Sequence, residues 1–186
     1  IFSETVPDVR WSQKYNSVIR SVNPDNGRKR NITVSGRIFN PFPFPDDGRI
    51  AAAEYSDDGR SRLVIIDGES GEIRSVIPVS DTLQLVEPAV LGNTIYASCI
   101  SGSGYGIYST DLSDSGSGWT ERLSPSPVMI SNLDIYGSRL IFSSDRTGTK
   151  ELYALDTVDG KVYRKTSTKY GAADFTFSDD GKYLFC

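Results

Sequence analysis

The 186-residue chain carries a formal net charge of −4 and contains no histidine. Without imidazole there is no Ser-His-Asp triad, no Cys-His pair and no histidine-ligated metal. The negative balance argues against nucleic acid or an anionic membrane surface as the main partner. Its 38% hydrophobic residues, 17 Gly, 9 Pro, 10 Tyr and 8 Phe suit short strands and many turns. No apolar run is long enough for direct membrane insertion of this segment.

The chain opens on "IF", which reads as the tail of a second strand. A third strand, "SVIRSVN" (17–23), and a fourth, "RKRNITV" (28–34), follow. The basic run at 28–30 reads as a solvated outer edge. A complete unit comes next. "RIFNPFPF" (37–44) alternates, and its prolines at 41 and 43 place it at a sheet edge. "RIAAAEYS" (49–56) is a second strand, and "RLVIID" (62–67) is apolar on both faces, as a strand between neighbouring sheets must be. "EIRSVIP" (72–78) alternates again and forms the outer edge.

That pattern recurs down the chain. The turn glycines Gly48, Gly92, Gly137 and Gly181 are spaced by 44, 45 and 44 residues. Asn23, Asp67, Asp111 and Asp156, each ending an apolar run, are spaced by 44, 44 and 45. A glycine turn follows each, the kind in which an Asx side chain bonds nearby amides. Two agreeing registers of blade length predict an all-β protein, a β-propeller of four-stranded antiparallel blades with about four blade-length repeats. The units run over about 1–36 (partial), 37–82, 83–128, 129–171 and 172–186 (partial), as a single β-propeller domain or a partial propeller. The last two strands complete the first unit in a closed four-bladed ring, or the chain is a fragment of a larger propeller. With no initiator Met or signal peptide, it reads as a processed or excised piece.

In such an architecture the loops from first to second and third to fourth strands are tight, acidic and regular. The loops from second to third and fourth to first strands share the other face and vary in length. They carry Trp11, Tyr15, Tyr105 and Tyr170, exposed aromatics of the kind adaptable recognition surfaces use. Most aspartates sit in turns that already explain them. A carboxylate mechanism has only Glu87 and Asp174, on first strands, as candidates, and we assign no catalytic residue, metal or cofactor. Cys99 and Cys186 stand at equivalent second-strand ends of different blades, which predicts two mostly buried free thiols. "GSGYG" (102–106) lacks the helix a phosphate loop needs. "DSGSGWT" (114–120) partly matches an Asp-box turn, itself a folding element.

The stretches "FSDDGKYLF", "YGSRLIFSSDRTGTKELYALD" and "DDGRIAAAEYSDDGRSRLVIIDGESGE" resemble TolB-type, WD-like propeller repeats. "VPDVRWSQKYNSVIR" (6–20) is similar to an insertion in the propeller segment of large Bacteroidetes envelope proteins. The resemblance implies export to the envelope, in the periplasm or at the outer membrane, and a place in a multidomain chain. It also implies a non-catalytic binding role toward a protein or glycan ligand. The alternative is the gating propeller of a prolyl-oligopeptidase-like serine peptidase whose catalytic domain is absent here. "VLGN" (90–93) and "IYGS" (135–138) replace the Asp-Gly turn of the pattern, which argues against a ligand shared by those turns.

Overall fold

The computed structural model describes residues 1–11, 15–114, 118–178 and 182–186. Gly181, the marker of the last turn, and residues 115–117 of the "DSGSGWT" stretch lie outside the described residues. Every described element is a strand, and the chain falls into two compact units, Ile1–Gly92 and Asn93–Cys186.

The first unit begins with an antiparallel sheet of three strands, β1 (Phe2–Pro7), β2 (Tyr15–Val22) and β3 (Lys29–Asn31). β1 corrects the expectation of a two-residue tail. Six residues pair in register with β2, from Phe2 opposite Arg20 to Pro7 opposite Tyr15. The polar Ser3, Glu4 and Thr5 hid this strand from apolar pattern reading, and Glu4 pairs with Arg20 at 3.1 Å. β3 is shorter than expected because the chain bends away at Ile32, whose amide and that of Thr33 both donate to Ile19 O.

A four-stranded meander follows, with order β4 (Ile38–Pro43), β5 (Arg49–Tyr55), β6 (Ser61–Asp67), β7 (Ile73–Pro78). The prolines of β4 are at an edge, as their missing amides require. A bulge at Asn40 and Pro41, with Asn40 at φ 51°, interrupts the β4–β5 pairing. Ala51, Ala52 and Ala53 of β5 and Leu63 and Val64 of β6 are fully buried. The alanines leave room for the branched side chains beside them, and Ile19, Ile32, Ile38, Ile50 and Val64 share one apolar cluster. β8 (Gln84–Leu91) packs against β4, β5 and β6.

The second unit starts with the antiparallel run β9 (Thr94–Ser101), β10 (Gly104–Asp111), β11 (Thr120–Ser126). A four-stranded sheet comes next, in the order β12 (Ile130–Tyr136), β13 (Arg139–Ser144), β14 (Glu151–Asp156), β15 (Val162–Arg164). The hairpin β16 (Thr176–Phe177) and β17 (Leu184–Phe185) ends the chain. Leu140 and Phe142 of β13 and Leu152 and Leu155 of β14 are buried with at most 1% exposure.

The turn chemistry is as the spacing predicts. Gly48, Gly92 and Gly137 have φ of 70°, 58° and 59°. Asp67 Oδ1 accepts from the amides of Glu69 and Ser70, and Asp156 Oδ1 from those of Val158 and Asp159. Both cysteines are free, but Cys186 is exposed and only Cys99 is buried. Burial pushes the Cys99 thiol up to about 12. Cys186 follows β17, which among the described residues pairs with β16 alone.

Candidate recognition surfaces

The four aromatics singled out above fall into different local settings. Trp11, in the first unit, lies in the β1–β2 loop and is 68% exposed. Asp8 shapes the turn beneath it, with Oδ1 accepting from Arg10 N at 2.8 Å and Trp11 N at 3.3 Å. Tyr15 is not a loop residue. It opens β2 opposite Pro7 and stands 56% exposed. Tyr105, in the second unit, is also on a strand. It is half-buried in β10, opposite Ile100 on one side and Ser126 on the other. Its glycine neighbours let β11 come close, so "SGSGYG" is a strand-packing feature rather than an open loop. Tyr170 is 87% exposed in the 165–175 segment after β15.

That last segment is held by a side chain the sequence reading passed over. Glu151, the first residue of β14, is fully buried. Its Oε1 accepts from Thr168 N at 2.7 Å, Thr168 Oγ1 at 3.3 Å and Arg164 Nη2 at 3.1 Å, while Oε2 accepts from Thr166 Oγ1. The backbone adds Lys165 N to Leu152 O and Ala172 N to Lys150 O, both 2.7 Å. Near the start of two third strands of the first unit, a serine hydroxyl makes a smaller contact of this kind. Ser17 Oγ donates to Ile38 O at 2.7 Å, and Ser61 Oγ accepts from Leu85 N at 2.8 Å. An acidic residue directly before the buried run 152–155 was the available signal.

The hydrogen bonds from Thr166 and Thr168, then Arg164, hold the Glu151 carboxyl down at about 2, against an ordinary value near 4.5. A carboxyl depressed in the folded state contributes stability that is complete above the unfolded value and is lost as pH falls toward the folded one. Wild-type protein is therefore expected to lose Tm between about pH 4.5 and 2 more steeply than Glu151→Gln, which has no charge to neutralise. Parallel Tm profiles of the two proteins by circular dichroism would refute this role.

Glu87 is half-buried in β8 of the first unit, and Asp174 is exposed in the second. Asp174 Oδ1 accepts from Asn132 Nδ2 at 2.7 Å, and the same amide donates to Ala173 O. Asn132 sits at φ 55° in a β12 bulge like that of Asn40, whose Nδ2 donates to Val86 O at 2.9 Å. Asn40 and Asn132 thus tie their first strands to the chain of the following repeat, and Asp174, expected on a first strand, lies instead in the connector just before β16. Among the described residues no group of three metal-ligating side chains is assembled.

Clefts occur on the tight-turn side of each unit. One of about 410 Å³ in the first unit is lined by Arg30, Asp47, Arg49 and Asp67 among others. These charged groups are already engaged, and Asp67 pairs with Arg74 beside the cleft. Arg30, read above as a solvated edge residue, donates to Gly68 O at 2.6 Å and Glu69 O at 2.9 Å, while Arg49 pairs with Asp47 and lies 4.2 Å over the Phe44 ring. A cleft of about 260 Å³ in the second unit borders Arg122 and the 156–160 turn.

Repeated four-stranded antiparallel sheets, joined by Asx-glycine turns and edged by proline-bearing first strands, define a β-propeller. Solved structures specify which kind. The chain matches TolB from Acinetobacter baumannii with TM-score 0.72 and 23% identity, over 91% of this chain and 42% of that one. It matches a putative TolB from Agrobacterium tumefaciens with TM-score 0.74 and 16% identity, over 99% and 68%. The propeller domain of the Trilobed protease from Pyrococcus furiosus matches with TM-score 0.53 and 13% identity, over 90% and 55%. The fold is that of a TolB-like β-propeller. No family profile matches the chain, and no curated protein sequence does. The chain spans less than half the length of the Acinetobacter structure it resembles.

Proposed function

We propose that this propeller segment is a non-catalytic binding module of the bacterial cell envelope, recognising a protein or glycan through its second-to-third and fourth-to-first loops. The observation that carries the reading is the exposure of Trp11 and Tyr170 on loops of those two classes, at 68% and 87%. A large aromatic held out on a shaped turn gives contact area at low entropic cost. TolB-like neighbours support a periplasmic or outer-membrane-associated location, within a longer chain.

The test is a defined panel of immobilised envelope glycans and purified envelope proteins, probed with wild type, Trp11→Ala and Tyr170→Ala. A ligand whose affinity falls about tenfold in either variant, with Tm unchanged, supports the module. Ligands bound equally by all three proteins would sink it. The peptidase likenesses, including a prolyl endopeptidase at TM-score 0.56, favour a second reading, a substrate gate for a serine peptidase. A G-x-S-x-G strand-turn-helix downstream in the full gene decides for that reading.

A further inference from the structure

We infer that the loop end of the β12–β15 sheet is a docking surface for a carboxylate-bearing glycan. This deepens the binding-module reading and rests on it. Two segments meet there, the 145–150 turn and the 165–175 segment, joined by the bond from Ala172 N to Lys150 O and by the approach of Gly171 to the same carbonyl. Together they carry Arg146, Lys150, Lys165 and Lys169. The ion pairs of this sheet's described residues use Arg139, Lys161 and Arg164 instead.

The carboxylates nearby are already engaged. Asp145 Oδ1 accepts from Met129 N at 2.8 Å, Asp174 from Asn132, and Glu151 is filled by Arg164, Thr166 and Thr168. A chain of net charge −4 thus places four cations, with no ion pair among the described residues, on these two segments at one end of one sheet. Aromatic rings accompany them. Lys169 Nζ lies 5.2 Å from the centroid of the exposed Tyr170 ring, Lys165 Nζ 5.4 Å from that of Tyr163, and Arg146 5.2 Å from that of Tyr153.

An exposed ring beside ammonium groups matches a sugar whose C–H face covers the ring while its carboxylate meets the cations. A neutral glycan leaves the lysines without a role. An extended acidic peptide finds no strand edge in 165–175 to pair with. Glu151 makes the surface ready by fixing the segment before anything binds, which lowers the ordering cost of association.

The experiment is calorimetric titration of the 186-residue protein with hexagalacturonate, its methyl ester and a polyglutamate of similar charge, at low and at about 0.5 M salt. Hexagalacturonate is expected to bind at low salt. Its affinity should fall about tenfold in Lys165→Glu/Lys169→Glu and in Tyr170→Ala, with Tm retained, and fall again at high salt. The methyl ester should bind no better than the double variant binds the acid. No binding of hexagalacturonate, equal binding of the ester, or polyglutamate binding as tightly and indifferently to Tyr170→Ala would overturn the assignment. If hexagalacturonate fails while a panel ligand still depends on Trp11, the module reading stands and this assignment falls alone.

Discussion

Gly104→Ala is expected to destabilise the protein by on the order of 3 kcal/mol, enough to broaden or abolish its unfolding transition. Gly104 has φ 108°, a conformation side chains rarely adopt. A Cβ there would also lie 2.1 Å from Ser126 O and 2.5 Å from its carbonyl carbon. Backbone of a paired strand cannot swing aside as a flexible side chain would, so β11 must separate from β10 at the Tyr105–Ser126 pair. Gly102 is the control in the same tetrapeptide, with nothing within 4 Å of an added Cβ. Its alanine variant should stay within about 0.5 kcal/mol of wild type. Equal urea midpoints for the two variants would show that the strands do not approach as described.

Phe142→Ala is expected to cost about 3–5 kcal/mol, because the ring has no exposure and leaves a cavity its neighbours cannot close. It lies in β13, stacked on Tyr153 at 5.9 Å between centroids, with the Arg146 guanidinium 6.0 Å from its ring. Phe142→Leu, which keeps most of the volume, should cost under about 1.5 kcal/mol. Calorimetry on the pair separates packing from mere hydrophobicity. A small loss for alanine, close to that for leucine, would mean that the sheet is loosely filled there.

Most of the fold was legible because its signals repeat. One Asx-glycine turn proves little, but four copies at 44 or 45 residues fix the strand order, and "RLVIID" announces burial on both faces. β1 was half missed because Ser3, Glu4 and Thr5 break the apolar alternation, with Glu4 answered by Arg20 on the partner strand. Solvation of Arg30 was misjudged because its carbonyl partners lie 38 and 39 residues away. Local pattern reading cannot see such a bond. Of the candidate site residues, Trp11 and Tyr170 are in loops, whereas Tyr15 and Tyr105 belong to strands. Aromatic residues are both good loop contacts and good strand formers, so composition alone does not separate the two uses.

Connector length and the kind of anchor go together in this chain. Where the stretch from fourth strand to next first strand is short, residues 32–37 and 79–83, a serine near the start of a third strand, Ser17 or Ser61, bonds the following first strand directly at Ile38 O or Leu85 N. Where the stretch spans 165–175, the Glu151 carboxylate takes donors from within the stretch itself, at Thr166 and Thr168. The long connector is therefore held by an ionised group, whereas the short ones are closed by neutral hydroxyls that no change of pH can switch off.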